Sequence, residues 1–190
     1  MSYQVSAYGS WKSPITSDLI VAASISLGGV TLDGEDIYWL EGRPQEKGRN
    51  VLVKLNSDGT TTEITPVPFN VRTRVHEYGG GSYLIVAGII YFCNFADQRI
   101  YRQTADSLPQ PLTPENSCRY ADLILDEFRN RLICVCEDHS QKDREPVNSI
   151  VSIDVDTGNI ETLVSGDDFY TSPRLSADGS RLAWISWNHP

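Results

Sequence analysis

The sequence predicts an all-β protein, a β-propeller of four-stranded antiparallel blades that is incomplete in this chain. A short strand-like segment occurs four times, starting at Ile37, Ile90, Leu132 and Leu182. Each copy is flanked by further short segments rich in branched and aromatic side chains, and turn residues separate them. Only one stretch has the pattern of a helix. Four-stranded units that recur about every 45 residues are typical of propeller blades.

The repeated segments have the composition of strands, because aromatic and branched side chains suit a half-buried pleated surface. They span residues 37–41, 90–94, 132–136 and 182–186. Before the last three copies we predict strands at 82–86, 120–125 and 172–175. After the first three copies we predict strands at 51–55, 99–103 and 149–155, and then at 61–65, 110–113 and 159–164.

Turn residues between these segments indicate tight hairpins. Asp58-Gly59 and Asp178-Gly179 each separate two predicted strands, and Thr157-Gly158-Asn159 does the same in the third unit. Such residues supply the positive φ that short hairpin loops require. A sandwich or a closed barrel would also contain short strands and turns. The repeat period favours the propeller.

We therefore expect one partial propeller domain over residues 1–190, with about three full blades and half of a fourth. The predicted blades cover 31–70, 71–114, 118–166 and, incompletely, 168–190. Residues 1–30 form an N-terminal segment with a short helix at 18–24, for which Ser17 is a plausible N-cap. The last unit has two strands before Pro190, so the expected protein is a longer propeller. Its open sheet edges would allow self-association.

Composition excludes several classes of function. The net charge is −9, and no cluster of basic residues is present to bind nucleic acid. The longest apolar run, residues 83–93, is far shorter than the roughly 20 residues of a membrane-spanning helix. The N-terminus has no export signal, and four cysteines are too few for a disulfide scaffold. We expect a cytoplasmic protein with reduced thiols.

No motif of a known catalytic site is present. Ser82 follows two glycines, but Leu84 replaces the second glycine of the Gly-x-Ser-x-Gly elbow, and a strand follows instead of a helix. Cys134 and Cys136 alternate along a strand and are expected to pack as buried side chains, with His139 nearby as the one further metal-ligand candidate. We expect no metal, no cofactor and no catalytic residue in this chain.

One polar stretch is unusual. Arg74, His76, Glu77 and Tyr78 lie immediately before three consecutive glycines, which permit close backbone approach. Such dense polar groups beside a strand predict a hydrogen-bond network between blades. The alternative is that some of them face the central cavity and contact a charged peptide end or a partner domain. Both hypotheses remain open at this point.

Three strings resemble the prolyl oligopeptidase family of serine peptidases, and most nearly its acylaminoacyl-peptidase and dipeptidyl-peptidase-like branch. They are residues 8–21, 74–81 and 175–190. The resemblance implies a propeller that caps a C-terminal α/β-hydrolase domain and admits only oligopeptides. That hydrolase domain, with its Ser, Asp and His, is absent from this chain, which should be inactive as a peptidase on its own.

The leading hypothesis is that this chain is the propeller part of such a peptidase, where it gates access and docks the hydrolase domain. Its expected partners are a peptide substrate and that domain, with no nucleic acid and no membrane. The alternative is a non-catalytic propeller that binds a protein partner. A third hypothesis is a metal-dependent propeller enzyme of the lactonase type, whose ligands the sequence does not locate.

Overall fold

A computed structural model describes residues 5–17, 19, 24–104 and 107–190, and the strands within them form four antiparallel sheets. The first sheet contains β1 (Ser26–Asp33), β2 (Asp36–Arg43), β3 (Arg49–Leu55) and β4 (Thr61–Glu63). The second contains β5 (Tyr83–Val86), β6 (Ile89–Cys93), β7 (Ile100–Thr104) and β8 (Gln110–Pro111). The third contains β9 (Cys118–Asp126), β10 (Arg131–Asp138), β11 (Val147–Asp154) and β12 (Ile160–Ser165). The fourth contains β13 (Phe169–Leu175) and β14 (Leu182–Trp187).

Each sheet follows the chain order, so every strand pairs with its neighbour in sequence. The four repeated segments are the second strands, β2, β6, β10 and β14, as the repeat predicts. Two 3₁₀ turns, Pro44–Glu46 and Glu127–Arg129, connect strands within the first and third sheets. The predicted fold class, an incomplete propeller, is therefore confirmed, and its described residues form three four-stranded blades and one two-stranded blade.

The start of the first blade differs from the sequence prediction. Strand β1 begins at Ser26, inside the segment 1–30 that was expected to precede the blades. Its first half contains Gly28 and Gly29, which weaken the strand signal, and the register shifts between Gly28 and Thr31. Most of the short helix predicted at 18–24 lies outside the described residues. No helix in the described part of the chain has the length and apolarity needed to cross a membrane.

Hydrophobic cores lie between consecutive blades. An isolated blade would expose the apolar side chains that form these cores and would therefore not be stable. Tyr38, Leu52 and Phe92 belong to the core between the first and second blades. The core between the second and third blades includes Tyr91, Tyr120 and the buried face of β10. A third core, between the third and fourth blades, contains Ile133, Ile150 and Tyr170. Each blade is thus held by the faces of its neighbours.

The first strands of the four blades lie side by side, since β5 contacts both β1 and β9, and β9 contacts β13. Three of these strands have a bulge at the same place, with positive φ at Gly29, Asp122 and Ser172. At the second bulge, the Asp122 carboxylate accepts the Gly81 N–H at 2.7 Å and the Ser172 N–H at 2.9 Å. One side chain therefore links three consecutive blades.

Candidate functional site

The connection from β4 to β5, residues 64–82, crosses from the first blade to the third. It pairs with the second blade through a bridge between Val71 and Asn94. Val75 is 1% exposed and packs in the core between the third and fourth blades. The two residues that follow turn sharply, because His76 and Glu77 both have positive φ, 54° and 63°. This turn places both residues at one end of the third blade.

Arg119, at the start of β9, holds the turn in place. Its guanidinium Nη1 donates to the Arg74 carbonyl at 3.0 Å, to Glu77 Oε1 at 2.6 Å and to Glu137 Oε2 at 3.3 Å. The contact with Arg119 lowers the pKa of Glu77, so its carboxylate stays ionised at neutral pH.

Glu137, near the end of β10, is the buried centre of this network. Its side chain is 5% exposed. Besides Arg119, it accepts the His76 backbone N–H at 3.1 Å and lies 2.7 Å from His139 Nε2. A buried carboxylate needs such compensation, because an unpaired charge in the interior is costly. The network thus fixes the His76–Glu77 turn to the third blade.

A cavity of about 480 Å³ opens beside this network. It lies where β9, β11 and β13 begin and where β10 and β14 end, so the third and fourth blades present it at a common end. All three histidines of the chain line it, together with five carboxylates: His76, His139, His189, Glu77, Glu137, Glu145, Asp167 and Asp168. The excess of carboxylates makes the cavity a favourable environment for positively charged groups.

The Phe169 ring lines the cavity on the side of the fourth blade, and Trp187 lines the smaller neighbouring cavity. Phe169 and Trp187 stack with their ring centroids 5.2 Å apart. The His76 ring packs edge-on to both, at 5.3 Å from Phe169 and 5.9 Å from Trp187. His76 Nε2 is buried and has no hydrogen-bond partner. A ligand in the cavity would thus meet the Phe169 ring, the His76 ring and carboxylates.

His189 and Asp168 complete the rim. Asp168 accepts the His189 backbone N–H at 2.9 Å and lies 3.2 Å from His189 Nδ1. The backbone hydrogen bond from His189 lowers the pKa of Asp168. The His189 ring also packs edge-on to Phe169 at 4.8 Å. The segment after β14 is thereby attached to the start of β13.

The structure separates the four residues that the sequence singles out. His76 and Glu77 line the cavity, whereas Tyr78 is exposed and borders a smaller neighbouring cavity with its ring 5.7 Å from His76. The Arg74 guanidinium instead lies over the Phe95 ring, 4.3 Å from its centroid. Arg74 contributes to the network only through its carbonyl. Both hypotheses for this stretch stay predictions: Glu77 takes part in the ion network, and His76 and Glu77 line a cavity between the third and fourth blades.

Solved structures of peptidases match almost the whole chain. A puromycin-hydrolysing peptidase of Mycobacterium tuberculosis is 40% identical over 96% of this chain, with a TM-score of 0.84. A puromycin hydrolase is 32% identical over 99% of the chain, also with a TM-score of 0.84. The resemblance to the prolyl oligopeptidase family is confirmed. The chain is similar to its N-terminal propeller region, and it spans 31% and 32% of those two proteins.

More distant structures support the fold alone. The chain in a nidogen/laminin complex has a TM-score of 0.61, and TolB from Acinetobacter baumannii has 0.60, each at 14% identity. They cover 84% and 86% of this chain. No protein-family model matches the sequence, and no curated protein matches it.

Sequence reasoning missed most of the residues around the cavity of this propeller region. Arg119, Glu137, Phe169 and Trp187 carry no motif, and they come from strands of two blades. The charged segment 137–146 has the composition of a solvated loop, yet Glu137 is buried at its start and Glu145 lines the cavity. One feature of the sequence could have identified Glu137: the charged pair Glu137-Asp138 directly follows the apolar residues of a predicted strand.

Cys134, Cys136 and Ser82, which the sequence analysis considered as metal ligands or as a nucleophile, are all buried. Cys134 and Cys136 are buried in the core between the second and third blades, as their alternation predicts. The His139 ring lies beside the Glu137 carboxylate and does not form a metal site with these cysteines. Ser82 is buried, and its hydroxyl lies 3.4 Å from the Val71 carbonyl. Within the described residues, no group of three or more His, Cys, Asp or Glu side chains is placed to hold a metal ion.

Proposed function

We propose that this chain is the propeller part of a serine peptidase that acts on oligopeptides. Its role is to restrict access to the nucleophile and to pack against a C-terminal hydrolase domain. The observation that carries the proposal is the 40% identity, over 96% of the chain, with a peptidase that is about three times longer. A preference of the acylaminoacyl- or dipeptidyl-peptidase type and a cytoplasmic location belong to the same proposal. The four unpaired cysteines support that location.

The acidic cavity is the proposed contact with the peptide. Glu77 is exposed and ionised, and the His76 ring lines the cavity beside Phe169. Carboxylates and ring faces both attract positively charged groups. Arg74 and Tyr78 act indirectly in this proposal, Arg74 by accepting the Arg119 hydrogen bond and Tyr78 by packing beside His76.

Cleavage of a panel of oligopeptides by the native gene product tests the proposal. We expect His76→Ala and Glu77→Ala to change the ratio of kcat/KM values between peptides that differ in charge near the scissile bond. A change of about tenfold corresponds to one charge-assisted contact of about 1.4 kcal/mol. Glu127→Ala is the matched control, because Glu127 is an exposed carboxylate at the opposite end of the third blade.

Two results would count against the proposal. If the native gene product cleaves no peptide, the peptidase assignment is wrong and a propeller that binds a protein partner becomes the better account. If both cavity variants lower the melting temperature but leave the kcat/KM ratios unchanged, His76 and Glu77 serve only the network between blades.

A further inference from the structure

The middle of the connection from β4 to β5 alternates between buried and exposed side chains. Val71, Thr73 and Val75 are at most 2% exposed. Arg72 and Arg74, which lie between them, are exposed. An extended segment produces this alternation when one of its faces packs on a core, because successive side chains point to opposite sides. Both arginines therefore lie on the solvent side of the same segment, two positions apart.

The backbone of this segment is fixed to the end of β6 and to the turn that follows. The Arg72 N–H donates to the Cys93 carbonyl oxygen at 3.1 Å. The Arg74 N–H donates to Gln98 Oε1 at 2.9 Å. Phe95 belongs to the same turn and is half-buried. The two arginines thus have defined positions relative to the Phe95 ring.

Both guanidinium groups lie over the ring of Phe95. The Cζ atom of Arg72 is 4.9 Å from the ring centroid, and the Cζ atom of Arg74 is 4.3 Å from it. The face of an aromatic ring attracts a cation and stacks against the guanidinium plane. Stacking uses the face of that plane and leaves the N–H groups at its edge free to bind an anion. One ring therefore holds two guanidinium groups close together.

Neither guanidinium group forms an ion pair within the described part of the chain. The carboxylates on the two adjoining turns have other partners. Glu77 pairs with Arg119, and Asp97 accepts hydrogen bonds from Asn94 and Tyr101. Two like charges that lie close together repel each other. An anion that contacts both arginines would remove this repulsion.

The arginine pair lies at the same end of the blades as the acidic cavity. It adjoins the end of β6, and the cavity adjoins the end of β10, which is the equivalent strand of the next blade. Arg119 links the two places, because its Nη1 lies 3.0 Å from the Arg74 carbonyl oxygen and 2.6 Å from Glu77 Oε1. A positively charged surface and a negatively charged cavity are therefore neighbours.

We propose that Arg72 and Arg74 form a carboxylate-binding subsite for the peptide that the cavity contacts. The inference rests on the proposed peptidase function and adds a substrate class, oligopeptides whose C-terminus or acidic side chain supplies the carboxylate. A guanidinium group pairs with a carboxylate through two parallel hydrogen bonds, and two arginines offer two such groups. Arg74 and Glu77 are three positions apart, so their Cα atoms are at most about 11 Å apart. A peptide of a few residues is long enough to reach both.

Paired peptides test the subsite with the native gene product. The first pair differs only in a free or an amidated C-terminus. The second pair is amidated and differs only in Glu or Gln beside the C-terminus. We expect at least one pair to show a kcat/KM that is about tenfold higher for the peptide with the additional carboxylate, mainly through a lower KM. That pair identifies the source of the carboxylate. Added salt should reduce the preference, because both arginines are exposed.

Variants connect the preference to the two arginines. Arg72→Met and Arg74→Met each remove one charge and keep most of the side-chain volume. Each should reduce the preference by about threefold or more, and the double variant should abolish it. Arg181→Met is the matched control and should retain the preference, because Arg181 is an exposed arginine in the hairpin between β13 and β14. The preference is a ratio within one preparation, so a smaller folded fraction does not change it.

Calorimetric binding of the same peptides separates the subsite from the peptidase activity. Cleavage without a preference in either pair, or a preference that the double variant retains, would overturn the subsite and leave the peptidase proposal intact. An equal loss for both peptides of a pair would also overturn it and would assign the arginines to the contact with the hydrolase domain. Binding that requires the carboxylate and both arginines, without any cleavage, would support the subsite and contradict the peptidase proposal. The absence of both binding and cleavage would overturn both.

Discussion

Replacing Arg119 by methionine tests the ion network that fixes the His76–Glu77 turn. The substitution keeps most of the side-chain volume but removes the cation that pairs with Glu137. Removing one partner of a fully buried ion pair costs about 3–5 kcal/mol. The Arg119 side chain is 19% exposed, and Glu137 keeps the His76 N–H and His139, so we expect a smaller loss of about 2 kcal/mol. The lost pair with Glu77 adds little, because that side chain is 79% exposed.

The assay is urea unfolding at neutral pH, read as the free energy of unfolding. A double-mutant cycle with Glu137→Gln isolates the pair: the double variant should be more stable than the sum of the single effects predicts, by about 1 kcal/mol. Arg181→Met is the control, since Arg181 is an exposed arginine in the last described hairpin, and it should change stability by less than about 0.5 kcal/mol. Additive single effects, or a loss at Arg119 no larger than the control, would refute the reasoning.

Three further predictions concern stability. Burial alone would raise the pKa of Glu63, but hydrogen bonds from Arg49 and Arg43 outweigh burial and lower this pKa from its ordinary 4.5. The ionised Glu63 side chain therefore stabilises the folded state above pH 4.5, and this contribution is lost as the pH falls below 4.5. Glu63→Gln should therefore cost about 0.5–1 kcal/mol at pH 7 and less at pH 3, in unfolding curves at the two pH values. Gly79→Ala should lower the free energy of unfolding by about 1–3 kcal/mol, because Gly79 has φ +90° and the added Cβ would lie 3.2 Å from the Thr73 carbonyl oxygen. Gly28→Ala is the control and should be nearly neutral, because a Cβ at Gly28 would lie in open space. Equal effects of the two substitutions would contradict this prediction. Val75→Ala should lower the free energy of unfolding, measured by calorimetry, by about 2–3 kcal/mol, because it opens a cavity between the third and fourth blades. A loss below about 0.5 kcal/mol would mean that Val75 does not anchor the segment 64–82 in that core.

The sequence predicts the blades well because each one is built from local hairpins. The apolar runs that became β6 and β10 are long enough to identify, and the Asp-Gly and Thr-Gly turns mark where the chain reverses. Strand β1 is harder to predict from the sequence, because Gly28 and Gly29 interrupt its apolar pattern at a bulge. Its function as the first strand of a blade follows only from its pairing with β2.

The candidate site could be predicted only in part. The density of polar residues beside three glycines identifies His76 and Glu77. Their partners lie far away in sequence, Glu137 at 61 residues from His76 and Arg119 at 42 residues from Glu77. The cavity forms only when the segment 64–82 passes over the third blade. No local pattern encodes that path, because it depends on where Val75 is buried.

The intact mass of the native gene product after reaction with a fluorophosphonate probe tests the central claim most directly. The probe modifies activated serines covalently. Because this chain of 21.2 kDa spans 31% of a similar peptidase, we predict a mass about three times larger that carries a single probe adduct. A product near 21.2 kDa, or a larger one that the probe does not modify, would contradict the account of this chain as the propeller part of a serine peptidase.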